Sequence, residues 1–174
     1  GHTSSMNGQQ VTTIGVVTAI DKDLNGYWIQ DVTGDGNRNT SDGIYVFTST
    51  PVGPEIVVGN LIRVSATVSE FAPGGAANLT LTELITVTST TVLATGQALP
   101  TAMIIGDTAN GADYTPPLHT LGSTTNGFDP TVDGVDFWES LEGMRVTLQD
   151  FRTTTPFKSS FNEVVGTMDV GANN

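Results

Sequence analysis

The stretch "YWIQDVTGDGNRNTSDGIYVF", residues 27–47, decides how this chain folds. Two apolar, aromatic runs, "YWIQ" and "IYVF", enclose a segment of Asp, Asn, Thr and Gly. β-branched and aromatic residues favour strands, while Asp, Asn and Gly favour turns, so the stretch reads as a long hairpin. The same grammar continues on both sides. "VTTIGVVTAI" (11–20) is a β-branched run that ends at the turn "DKDLNG". "LIRVSATVSEF" (61–71) and "LTLTELITV" (79–87) alternate apolar and polar, as half-buried strands do, with the turn "APGGAAN" between them. Five strands within 11–87 predict an all-β fold, a five-stranded antiparallel Greek-key barrel of the OB type. The helix that usually joins the third and fourth OB strands is replaced by "STPVGPEIVVGN", too rich in Pro and Gly to be helical.

Spacing inside the hairpin loop raises a chemical question. With Asp31 as position 1, Thr33 falls at 3, Asp35 at 5, Gly36 at 6, Asn37 at 7, Asn39 at 9 and Asp42 at 12. That is the ligand spacing of a twelve-residue calcium loop, with a glycine for the sharp turn and a backbone carbonyl at position 7. Calcium wants six to eight oxygens, which Asp, Asn and Thr supply. Asp42 stands where a longer Glu usually chelates, Thr33 adds no charge, and the flanks are strands rather than helices. The competing reading is a plain turn, since the same residues are what hairpin loops prefer. Both readings stand on the sequence; the calcium reading makes the ion structural.

Composition narrows the function classes. The chain has 174 residues, no cysteine, 18 acidic against 6 basic residues and a formal charge of −12. Disulfides and thiolate chemistry are thereby excluded. The scattered basic residues form no stripe for gripping phosphates, so binding of single-stranded nucleic acid is expected to be weak. No run of 18 apolar residues exists to span a membrane. "GHTSSM" at the start reads as a cloning remnant, giving 1–10 as an N-terminus without order.

Residues 88–174 read as a smaller β-rich extension with one short helix. "TSTTVLATG", "LPTAMIIG", "MRVTLQDF" and "FNEVVGTMDV" are its expected strands, and "DTANGADYTPP" a loop. In "FDPTVDGVDFWESLEGMRVTL", Asp136 and Glu139 have the spacing of a capping box, and Gly143 suits the left-handed helix end. Capping explains the acidic cluster Asp129, Asp133, Asp136, Glu139 and Glu142 better than a second metal site or docking face does. The open, polar "GANN" reads as the boundary before a further domain.

These residues resemble a known family. The G-V-V-T start, the aromatic strand ending in Q-D, the G-D-G…T-S-D-G-I loop and the V-G-N…R-V…T-V-S-E run are similar to the OB-fold-like module of large secreted bacterial nucleases. The resemblance covers 11–87 well and runs more loosely through "LPTAMII" and "FDPTVDGVDFWESLEGMRVTL". It implies secretion, and a downstream endonuclease/exonuclease/phosphatase or calcineurin-like phosphoesterase domain in the same chain as the partner. Such catalytic domains use histidine with aspartate, and Glu and Asn around a divalent metal. Here His2 lies in the apparent remnant and His119 stands alone in "PPLHTL", so no catalytic residues are assigned.

Candidate ligand residues lie on the aromatic strands. Alternation puts Tyr27 with Ile29 on one face, Trp28 with Gln30 on the other, and Tyr45 with Phe47 together. OB sheets stack nucleobases on such rings, which would make Tyr27, Trp28, Tyr45 and Phe47, with Arg38 and Arg63, a binding set. The alternative is that the rings fill the core. Two functions follow: a non-catalytic accessory module that binds nucleic acid or substrate, or a calcium-stabilised spacer or interaction module that touches no substrate.

Overall fold

The computed structural model describes residues 2–75, 78–118, 127–157 and 164–168. The chain is all-β, with five strands closing into a barrel: β1 (Gln10–Asp21), β2 (Gly26–Gln30), β3 (Gly43–Phe47), β4 (Leu61–Phe71) and β5 (Leu81–Ala94). Their order around the barrel is β1-β2-β3-β5-β4, with β4 returning to β1. One expectation is corrected. Four pairings are antiparallel, but β3 runs parallel to β5 through Tyr45–Glu83 and Val46–Leu84. The reason is parity: an odd number of strands cannot alternate direction all the way round a closed ring.

Long strands turn the barrel's corners. The first part of β1 pairs with β4 and its second part with β2, with a register shift between Val17 and Ala19. β5 bends likewise, shifting register against β4 opposite Ser65–Thr67, with Thr86 at φ 50°. Such irregularities supply the curvature that closure requires. The inward residues Val17, Tyr27, Ile29, Val46, Ile62, Val64, Ala66 and Leu84 fill the interior. Each large aliphatic there contributes about 1.5–3 kcal/mol by leaving water. Residues 48–60 form no helix. In its place Ile56 is buried against the core and Val52 packs beside it, while Asn60 Nδ2 donates to Glu55 O at 3.1 Å.

Two sequence boundaries move. "TSTTVLATG", read as a separate strand after 87, is the continuation of β5 up to Ala94. Residues 2–9, read as a remnant without order, are held: Gly8 N donates to Val68 O at 2.9 Å and Ser4 N to Glu70 Oε1 at 2.7 Å.

Beyond the barrel, β6 (Met103–Ile105) runs parallel to β7 (Val146–Leu148), and β8 (Phe151–Thr153) pairs antiparallel with β9 (Gly166–Met168). "MRVTLQDF" is therefore two strands, broken at Asp150 with φ 51°. The expected loop holds one 3-10 turn, Thr108–Asn110. Of "FNEVVGTMDV", residues 161–163 and 169–170 lie outside the described residues. A single α-helix among the described residues, α1 (Gly134–Glu139), has its cap three residues earlier than expected. Asp133 is the N-cap, accepting from Val135 N at 2.8 Å, while Asp136 lies in the first turn. The helix ends at Ser140 in right-handed geometry, and Gly143, at φ 72°, ends the tight turns that follow. Ile105, Phe137 and Leu141 form a second core with Met103, Tyr114, Met144, Val146 and Met168 around it. No helix among the described residues is long and apolar enough to cross a membrane.

Candidate functional site

The acidic loop leaves the β2–β3 ladder and ties itself with side chain to backbone bonds. Asp31 Oδ1 accepts from Thr33 N and Thr33 Oγ1, both at 2.9 Å. These donors, the backbone N–H first, hold the Asp31 carboxyl below its ordinary range. Asp35 Oδ1 accepts from Asn37 N at 2.7 Å and its Oδ2 from Thr40 Oγ1 at 2.9 Å. Asn37 Oδ1 takes Asn39 N at 3.1 Å, and Asp42 Oδ1 takes Asp35 N at 3.1 Å. Gly34 and Gly36 adopt left-handed φ of 65° and 71°, which the sharp turns need. Among the described residues no three Asp, Glu, His or Cys side chains converge as a metal site. These bonds cross-link the loop, and each oxygen of Asp35 accepts one of them. The donor chemistry suits calcium, and an ion would have to draw Asp31, Asp35 and Asp42 together in exchange for some of these bonds.

The aromatic set is divided rather than gathered. Tyr27 is 1% exposed and belongs to the barrel core, so it cannot stack on a ligand. Trp28 and Tyr45 meet on the outer face as cross-strand partners, ring centroids 4.7 Å apart. Tyr45 is only 5% exposed, its hydroxyl reaching Leu24 O at 3.3 Å over the bare backbone of Gly26. Phe47 lies half-buried beyond them. Arg38 places its guanidinium 4.0 Å from the Tyr114 ring centroid, so its charge is already engaged with the second half of the chain. Arg63 is exposed on β4, paired with Ile14 of β1 and Thr91 of β5, away from β2–β3.

Beside that pair, the outer face of β2–β3 is covered by the chain itself. Arg145 N donates to Gln30 Oε1 at 2.8 Å, leaving Gln30 4% exposed. Ser41 Oγ donates to Glu142 O, and Thr82 N to Glu142 Oε2 at 3.3 Å. Gly43 meets Gly143 backbone to backbone, where a Cβ on Gly43 would strike the Gly143 carbonyl. The Arg145 guanidinium reaches Pro100 O. Residues 140–145 thus form a strap over the end of the hairpin. Between loop and strap lies a cavity of about 130 Å³, lined by Arg38, Asp42, Tyr114, Phe137, Leu141 and Met144 among others.

The acidic cluster around α1 divides into individual structural duties. Asp129 Oδ1 accepts from Thr131 N at 2.9 Å and Thr131 Oγ1 at 2.5 Å, which lowers its pKa, as Arg38 does more weakly. Asp136 Oδ2 accepts from Asp129 N at 2.6 Å, and its Oδ1 meets His2 Nε2 at 2.8 Å. His119 lies outside the described residues. Sequence reading missed His2, Ser41, Glu70, Thr82 and Arg145 as positioning residues, because their partners are tens of residues away and leave no local signal.

A family model described as a domain of unknown function (DUF8508) matches residues 92–174, somewhat less than half of the chain. The chain is similar to that family over its second half, and β1 to β4 lie outside the match. No curated protein matches it.

Proposed function

We propose that this chain is a non-catalytic accessory module of a secreted bacterial nuclease or phosphoesterase, in which the OB-type barrel serves as a mount for its own C-terminal segment. One observation carries the reading: the outer β2–β3 face, the surface OB-folds use for ligands, is taken up by the strap at Gln30 and Gly43. A barrel built chiefly to bind a strand of nucleic acid would keep that face open and basic. This one carries a chain charge of −12 and has Arg38 seated on Tyr114. A downstream catalytic domain of the same chain would be positioned by the mount. Calcium in the 31–42 loop belongs to the same proposal, as a structural ion stiffening the wall against which the strap lies.

The Trp28–Tyr45 pair favours the second reading, a substrate-binding module, since Trp28 keeps part of its ring open on the outer face. Titration of the whole chain with labelled single-stranded DNA, with and without calcium, separates the two. The mount reading expects no complex tighter than about 10⁻⁴ M at physiological salt, the weak edge of non-specific binding. A dissociation constant below about 10⁻⁶ M that Trp28→Ala abolishes would replace it with the second reading.

A further inference from the structure

A cavity of about 390 Å³ lies where the N-terminal segment, the acidic loop, the start of β5 and the end of α1 meet. Glu139 and Glu142 line it together with the hydroxyls of Ser4, Ser41 and Thr82. Thr82 joins two carboxylates, its N–H donating to Glu142 Oε2 at 3.3 Å and its hydroxyl to Glu70 Oε1 at 3.0 Å. Glu70 is further held by Ser4 N and by Thr80 Oγ1, at 2.7 and 2.5 Å. Glu139 and Glu142 therefore share one cavity, and Thr82 links Glu142 to Glu70.

We infer that this junction is a pH-responsive latch on the strap, gripping it while Glu142 is protonated and loosening it when Glu139 and Glu142 are both ionised. β4 contributes Glu70, α1 contributes Asp136 and Glu139, the strap contributes Glu142, and the loop faces the cavity with Asn39, Thr40 and Ser41, which do not titrate. His2 is the one basic side chain nearby among the described residues, and it is committed to Asp136 at 2.8 Å while weakly favouring ionised Glu139. Burial pushes Glu142 up to about 7; the Thr82 N–H opposes this, and Glu139 and Glu70 add to it. Burial, ahead of its charged neighbours, also raises Glu139.

The sign follows from linkage. Glu142 binds its proton more tightly with the strap docked than with it free, where it titrates near 4.5. Below that value docking carries no ionisation cost; the cost grows as pH rises through the interval and is complete above about 7. Because the side chain is partly open to solvent, the effect is discounted to about tenfold in the docking equilibrium.

Hydrogen exchange on the whole chain tests the latch. The Arg145 and Thr82 amides report the strap, and Ile29 and Val64 in the barrel report global stability. After correction for intrinsic exchange, strap protection relative to the barrel should fall about tenfold from pH 4 to 8. Glu142→Gln should hold it at the low-pH level throughout, and Glu139→Gln should shrink the dependence. A strap-to-barrel ratio constant with pH, or one that falls equally in Glu142→Gln, overturns the latch. If Glu142→Gln weakens the barrel amides as well, Glu139→Gln alone decides: a dependence it leaves unchanged overturns the proposal.

Discussion

At Gly43 the absence of one carbon atom lets the chain's two halves touch. Its backbone lies against Gly143, and an added Cβ would meet rigid main chain rather than a side chain that could swing aside. Gly43→Ala should therefore lower stability by about 1–3 kcal/mol, the usual cost of forcing extra volume into close contact. The measurement is a denaturant melt, with Gly36→Ala as a contrast: there the space is open and only the left-handed φ of 71° is strained. Tyr27 makes a related point about what a sequence can reveal. Alternation correctly places it with Ile29 on one face and Trp28 on the other, but only closure tells which face is inside. The choice between core and ligand platform was open for Tyr27 until the barrel closed. It is core, whereas Trp28 stays on the outer face and Tyr45 is buried there beneath neighbours.

Among the elements, the strands were legible and their partners were not. Period-two alternation located β4 and the start of β5, and the Pro- and Gly-rich run 50–55 correctly excluded the inter-strand helix. The parallel β3–β5 pairing escaped a strand-by-strand reading because it is a property of the closed ring. Helix α1 shows how two acidic residues at similar offsets compete for one cap. Asp133 wins, and Asp136 is freed to bind Asp129 N and His2. Asp133→Ala should cost about 0.5–2 kcal/mol, read as a lower melting midpoint. The 31–42 loop carries its own test. If calcium gathers Asp31, Asp35 and Asp42, melting temperature rises with calcium and falls with chelator, by about 2.7 kcal/mol of stability at 100 times the dissociation constant. Asp35→Ala should remove that response while Asp133→Ala retains it. A melting curve indifferent to chelator leaves the loop a turn.

For the whole molecule, charge and connectivity set the behaviour. With 18 acidic and 6 basic residues, the chain repels polyanions at distance, and this weakens any nucleic-acid encounter before short-range contacts form. The purified chain is expected not to hydrolyse DNA, RNA or phosphate esters with magnesium, manganese or calcium. The one described histidine, His2, is bound to Asp136, and among the described residues no group of three Asp, Glu, His or Cys side chains could hold a metal. Metal-dependent cleavage that co-purifies with the chain and disappears in Asp31→Ala or Asp136→Ala would make it an enzyme. The strap itself was invisible in the sequence. The bonds that hold it, Arg145 to Gln30 and Ser41 to Glu142, join residues 115 and 101 positions apart, beyond the reach of any local pattern.

β5 has a bearing on how such proteins are inherited. The similarity to the family of unknown function begins at Val92, inside a strand that runs to Ala94. Val92 pairs with Ile62 and Ala94 with Leu61, so the match starts on the last rungs of the barrel and not after it. A seam drawn there cuts a hydrogen-bonded ladder, and no recombination event can transplant residues 92–174 without leaving three residues in need of a strand to lie against. A fragment beginning at 92 should expose that edge and self-associate, whereas one beginning at 95 should lack the edge and remain monomeric in sedimentation.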